Sequence, residues 1–228
     1  MRRQPVKSGR AGPLTKYRDP PQERLFRMSD IPRLILASRS PRRAELLSRL
    51  GLEFDIHPAE IDESYLGHEM PADHAERLAR EKAIAVARHH HEALVIGSDT
   101  IVIIDDDVLG KPRDEAEAVN MLRRLANREH SVYTAVAVVH GTRVESAVES
   151  VRVRFRPLDL RECEEYVATG EPMDKAGAYG IQGFGSALVQ SIQGDYFAVM
   201  GLPVVRTLEL LRRHGWRYAF GNIVTIER

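Results

Sequence analysis

Cysteine and long apolar runs are scarce in this chain, and each absence excludes something. One cysteine in 228 residues rules out an internal disulfide, which suits a reducing compartment and points to the cytoplasm. Cys163 stands in Asp159–Ala168, which reads as a helix, with no His or second Cys nearby to lower its pKa. It therefore reads as a packing or surface thiol rather than a nucleophile. No apolar stretch approaches the roughly 20 residues that span a bilayer, and the first residues lack the apolar middle of a secretory signal. There is no G-x-x-x-x-G-K-S/T loop, which argues against P-loop chemistry, and Gly180–Gly185 has the wrong order for G-x-G-x-x-G. No Cys/His set has zinc spacing.

What the chain does have is charge, unevenly spread. Residues 1–29 carry eight Lys/Arg against Asp19 and Glu23, so of 33 basic and 33 acidic residues the rest keeps 25 and 31. An acidic body is a poor partner for nucleic acid, whose nonspecific affinity comes from phosphate neutralisation. Only the basic arm can serve that purpose. Its four prolines and lack of a periodic apolar face predict a disordered extension over 1–30, with an organelle transit peptide or nucleic-acid tail as the other readings.

The organised chain begins near Ile31. Leu34–Ala37 reads as a buried strand. Ser40 and Pro41 then open a helix with Leu46, Leu47 and Leu50 on one face, and Gly51 ends it. Phe54–Ile56 predicts a second strand, and Pro71 opens a long helix to about His90. Leu94–Ile96 is expected to pair with Ile101–Ile104 as a hairpin, followed by an Asp105–Asp107 turn. Asp114–Ala126 reads as a helix, Val132–Val139 and Val144–Phe155 as an antiparallel pair, and Pro203–His214 as the last clear helix. The domain expected is residues 31–215, with 216–228 as a tail that can add a strand.

Three segments carry chemistry. Ser38-Arg39-Ser40-Pro41-Arg42-Arg43 follows a strand and opens a helix, whose free amides and positive end attract anions, and its guanidiniums can grip phosphate oxygens. The plain alternative is a capped helix with solvated arginines. Gly97-Ser98-Asp99-Thr100 delivers a carboxylate from an apolar strand, able to orient a water or hold a divalent metal, or simply to cap a turn. Asp174-Lys175-Ala176-Gly177-Ala178-Tyr179-Gly180-Ile181-Gln182-Gly183 places an amide side chain among glycines that let backbone approach a ligand. Lys82 shares a helix face with Leu78 and Ala79, Lys111 lies in Gly110-Lys111-Pro112, and Glu63 adds a carboxylate beside Asp62.

Taken in order with Leu78-Ala79-Arg80-Glu81-Lys82-Ala83, these motifs strongly resemble the Maf family of nucleoside triphosphate pyrophosphatases, from about Leu34 to His214. The resemblance implies an α/β fold related to the inosine triphosphate pyrophosphatases: an elongated mixed sheet with flanking helices and two lobes around a deep cleft. It implies hydrolysis of nucleoside triphosphates to monophosphate and pyrophosphate, a divalent cation (Mg²⁺ or Mn²⁺), and commonly a homodimer. Asp99 matches the family's proton acceptor, and Arg42, Thr100 and Gln182 fall where its specificity residues lie. The motifs look like the dTTP/UTP branch, although Ser98 stands where that branch usually has alanine. The expected site is thus Asp99, Lys82 and Glu63 for catalysis, with Asp99 and Glu63 toward the metal. Ser38, Arg42, Arg43, Thr100, Lys111, Lys175 and Gln182 are expected to hold substrate. A 7-methyl-GTP pyrophosphatase and a nonenzymatic nucleotide-sensing regulator of division are the alternatives.

Overall fold

Nearly continuous burial along β-branched and aliphatic strands, with alternation only at the ends of the long antiparallel pair, builds a mixed seven-stranded sheet in the computed structural model, which describes residues 31–66 and 69–226. The basic arm over 1–30 lies outside the described residues. The elements run β1 (Leu34–Leu36), α1 (Pro41–Arg49), β2 (Asp55–Ile56), α2 (Pro71–Ala87), β3 (Leu94–Ile104), β4 (Asp107–Leu109), α3 (Glu115–Leu125), β5 (Glu129–His140) and β6 (Arg143–Phe155). They continue with α4 (Leu160–Val167), β7 (Val189–Gln193), α5 (Tyr196–Met200), α6 (Val204–Arg213), β8 (Trp216–Tyr218) and β9 (Ile223–Thr225). Between α4 and β7 the chain makes short 3₁₀ turns at Glu171–Asp174, Ala176–Ala178 and Gly183–Ala187. The architecture is α/β, as the sequence predicts.

The sheet order is β2-β1-β3-β5-β6-β7, with β1 parallel to both neighbours and the rest antiparallel. Helices cover both faces. Ile35, Val95, Ala135 and Ala137 pack with Ala75, Ala79 and Ala83 of α2. Leu34, Leu36, Leu94, Ile96, Val136 and Val138 pack with Leu46 and Leu47 of α1 and Leu210 and Leu211 of α6. A third cluster gathers Val102, Ile104, Val151, Val153 and Phe155 with α3 and α4, and Cys163 is buried within it. That burial raises the thiol pKa, as a packing residue requires.

One expectation fails. The predicted hairpin between Leu94–Ile96 and Ile101–Ile104 does not form, because β3 runs unbroken through Gly97–Thr100. Its register with β5 holds from Val95 to Ile103, so the ladder continues through the polar residues. The reversal comes later, at Asp105 and Asp106. Both have positive φ (52° and 63°), the geometry of a tight hairpin turn, and they return the chain as β4.

The other edge of β3 is interrupted, and this places the site. β1 pairs with Leu94–Ile96 and β4 with Val102–Ile104. With β5 occupying the opposite edge, residues 97–101 have no partner strand on this side among the described residues. A cleft of about 1280 Å³ opens at the gap, lined on one side by Ser38–Arg43.

Candidate active site

Because side chains alternate along a strand, the gap in β3 presents its residues on two faces. Gly97 and Asp99 face α2, and Ser98 and Thr100 face α5. On the α2 side, Gly97 lets helix and strand touch. A Cβ there would meet the Ala79 carbonyl oxygen at 2.3 Å and the Ala83 nitrogen at 2.8 Å. This close approach brings Lys82, 7% exposed, onto Asp99. The Lys82 ammonium donates to Asp99 Oδ1 at 2.6 Å and lies 2.7 Å from Glu63 Oε1. Burial works against the Glu63 carboxylate, but Lys82, aided by Lys111 and Arg43, outweighs it and holds the pKa below the usual range. One ammonium thus gathers two carboxylates from distant parts of the chain.

On the other side, Arg43 reaches from the first turn of α1. Its Nε donates to the Gly201 carbonyl at 2.7 Å, Nη1 to Ser38 Oγ at 3.1 Å and Nη2 to Thr100 Oγ1 at 3.3 Å. Burial pushes its pKa down, opposed by the nearby charges of Asp99 and Glu63. Among the described residues no carboxylate pairs with it directly, so the guanidinium is held by neutral oxygens and keeps its charge for an anion. The helix start has the same character. Ser40 occupies the N-cap position but its side chain makes no capping bond, and the first turn has no acidic residue. Nothing on the helix itself competes with a ligand for the positive end.

The other expected residues are disposed unequally. Arg42 and Lys175 line the cleft but share Asp174, at 3.3 Å and 2.5 Å. Burial opposes the Asp174 carboxylate, yet these two cations keep its pKa low. Lys111 lines the cleft near Glu63. Gln182 is half-buried and is not among the lining residues, although Tyr179, Gly180 and Ile181 just before it are.

Sequence reasoning missed the braces behind Arg43 and Thr100. Ser98, fully buried, lies 2.7 Å from the Ala135 carbonyl and 2.9 Å from that of Gly201. Thr134 donates to the Ala198 carbonyl at 2.8 Å and lies 3.1 Å from Thr100 Oγ1. These bonds fasten α5 and Gly201 to the sheet beneath Arg43. Polar residues at apolar strand positions were the available signal. They also explain Ser98 as a fastening residue on the face away from Lys82.

Among the described residues no three or more His, Cys, Asp or Glu side chains gather as a metal cluster, and no helix is long and apolar enough to cross a membrane. A Mg²⁺ site needs less protein than such a cluster, since Mg²⁺ takes one or two carboxylates and draws its remaining ligands from water and substrate phosphates. The convergent carboxylates of Asp99 and Glu63 fit that requirement.

A family model described as Maf-like protein matches residues 33–214. A dTTP/UTP pyrophosphatase of Symbiobacterium thermophilum is 52% identical over 183 residues, covering 80% of this chain and 94% of the relative. One from Moorella thermoacetica is 55% identical over 185 residues, covering 80% and 95%. One from Aquifex aeolicus is 47% identical over 180 residues, covering 79% and 94%. With the match spanning the whole cleft, from the helix start at Ser38 to Gly201, the chain belongs to the Maf family.

Proposed function

We propose that this chain hydrolyses nucleoside triphosphates, dTTP and UTP by preference, to the nucleoside monophosphate and pyrophosphate. The observation that carries this reading is the division of the cleft. A buried Lys82 gathers Asp99 and Glu63 on one side, while Arg43 and an acid-free helix start face them from the other. The names of the three relatives point to the same reaction and supply the pyrimidine preference.

In the mechanism, Ser38, Arg43 and the amides of the α1 start bind the phosphates, and Arg42 and Lys111 add charge from the rim. Asp99 orients a water and takes its proton as the oxygen bonds to the α-phosphorus. The bond from that phosphorus to the bridging oxygen breaks, and pyrophosphate leaves with its charge countered by Arg43 and the lysines. Asp99 and Glu63 would hold a divalent cation, Mg²⁺ or Mn²⁺, which when bound neutralises phosphate charge. Lys175 joins phosphate binding once Asp174 yields it, and Thr100 and Gln182 help select the base. One buried thiol suits work in the cytoplasm, and a homodimer is the assembly expected.

A panel of dTTP, UTP, CTP, ATP, GTP and 7-methyl-GTP, with and without Mg²⁺, tests the proposal through the phosphate released. Pyrophosphate is expected, fastest from dTTP and UTP. Asp99→Asn should lower kcat by about 100-fold or more, the scale of a lost general base. Orthophosphate as product, or full activity in that variant, would sink the mechanism. Faster cleavage of 7-methyl-GTP would overturn the pyrimidine preference alone.

A further inference from the structure

The loop Gly180–Gly185 brings Gly180 and Ile181 to the cleft and places Gln182 next to them. Regular secondary structure does little to hold it. Its amides are instead taken by two side chains that do not line the cleft. Glu171 Oε2 accepts from the Phe184 amide at 2.9 Å and Oε1 from the Gly185 amide at 3.0 Å. The Tyr166 hydroxyl donates to Glu171 Oε1 at 2.9 Å and accepts from the Gly180 amide at 3.1 Å. One carboxylate and one phenol thereby satisfy three loop amides, and each oxygen is used in the direction its chemistry allows.

The fit is tight at both glycines. A Cβ on Gly183, whose φ is +62°, would stand 2.5 Å from Glu171 Oε2. On Gly185 it would stand 2.1 Å from the Gly180 carbonyl oxygen and 2.6 Å from the Tyr166 hydroxyl. The loop is closed around these two side chains. Tyr166 belongs to α4 and is itself buried in the cluster that α4 shares with α3, so the brace is anchored in the core.

The same segment reaches the opposite wall. The Glu171 carbonyl accepts from Lys175 Nζ, Lys175 binds Asp174 Oδ1, and Asp174 Oδ2 accepts from Arg42. Residues 171–174 therefore connect the glycine loop to an arginine at the start of α1. One end carries Gln182, expected to help choose the base, the other Arg42, expected to add charge at the rim, and neither is expected to perform the bond cleavage.

We propose that Glu171 and Tyr166 are positioning residues for nucleotide selectivity, setting the glycine loop against the substrate's base without touching it. The inference rests on the pyrophosphatase reading above. Tyr166→Phe removes the acceptor for Gly180 and the donor to Glu171 while keeping the ring. Glu171→Gln turns an amide-facing oxygen into a competing donor, or leaves the phenol unanswered.

The test measures kcat and KM of the full chain for UTP and CTP in both variants. Binding of the nonhydrolysable α,β-imido analogues is measured in parallel, and thermal melting verifies the fold. The ratio of kcat/KM for UTP over CTP should fall about tenfold in each variant, mainly through a higher KM for UTP, with kcat for UTP within about threefold of the parent. The analogue affinities should converge likewise. A folded variant of either kind that retains the parental ratio, or loses kcat equally on both nucleotides, overturns the inference alone. A parent that shows no preference in cleavage or binding overturns it together with the reading beneath.

Discussion

His130 is 3% exposed, its Nε2 lies 2.8 Å from the Tyr179 hydroxyl, and Nδ1 has no partner among the described residues. Edge-on contacts with the rings of Phe155 and Tyr179 enclose it. A charge there has no compensation, so burial lowers the pKa to about 4. The ordinary value is about 6.5. Between these two values the unfolded chain binds the proton and the folded chain does not, so stability rises with pH across this window and is lost on acidification. About 2.5 pKa units correspond to about 3 kcal/mol. Urea unfolding at pH 7, 5.5 and 4 should therefore show the parent losing about 3 kcal/mol more than His130→Gln, which keeps a polar partner for Tyr179 but cannot titrate. Parallel pH dependences in the two proteins would refute the assignment. Tyr179 lines the cleft, so a proton on His130 disturbs the wall opposite α1 as well as the core.

At the level of elements, the contact of α2 with β3 decides whether Lys82 meets Asp99. At Gly97 the Ala79 carbonyl and Ala83 amide are pressed where a side chain would go. Backbone atoms cannot step aside as a flexible side chain can. Gly97→Ala should therefore lift α2 from the strand, destabilise the fold by about 1–3 kcal/mol as overpacking does, and part the Lys82–Asp99 bond. Denaturant titration and kcat on UTP measure both effects, and a variant of parental stability and activity would contradict the packing argument. This contact also marks the limit of what the sequence made legible. The apolar stripe of α2, the strand at Leu34, the long antiparallel pair and the serine and arginine cluster that opens α1 were readable, because each is a local pattern of period or motif. The continuity of β3 was not, since Gly97, Ser98 and Asp99 resemble a turn unless the pairing with β5 is known. The two partners of Lys82 were individually visible, but their convergence depends on the gap between β1 and β4, a property of sheet order. The roles of Ser98 and Thr134 were not read, although a polar residue at an apolar strand position marks each, because their value lies in bonds to distant backbone; Glu171 carries no local mark at all.

Across the whole molecule, the two ends of the chain make opposite predictions. Residues 216–225 form a small separate sheet of β8 and β9, with Trp216 and Ile223 buried among Leu46, Leu47, Leu210 and Leu211. Tyr218 donates to the Leu50 carbonyl at 2.8 Å, just past the end of α1. A Cβ on Gly51 would stand 2.9 Å from Gly221 Cα. The hairpin thus braces the far end of the helix whose near end carries Arg42 and Arg43. Deleting residues 216–228 exposes two or three large side chains, a loss of about 5 kcal/mol, against a total of about 5–15 kcal/mol for a domain. Such a protein should unfold at much lower urea and lose turnover through a weakened α1. Deleting residues 1–29 removes eight basic residues that precede the family match beginning at residue 33, so kcat/KM on UTP should stay at the parental value. The pair is informative because rival readings invert it. If the basic arm carried the activity, as a nucleic-acid-binding tail would, its removal would abolish function while loss of the hairpin left function in place.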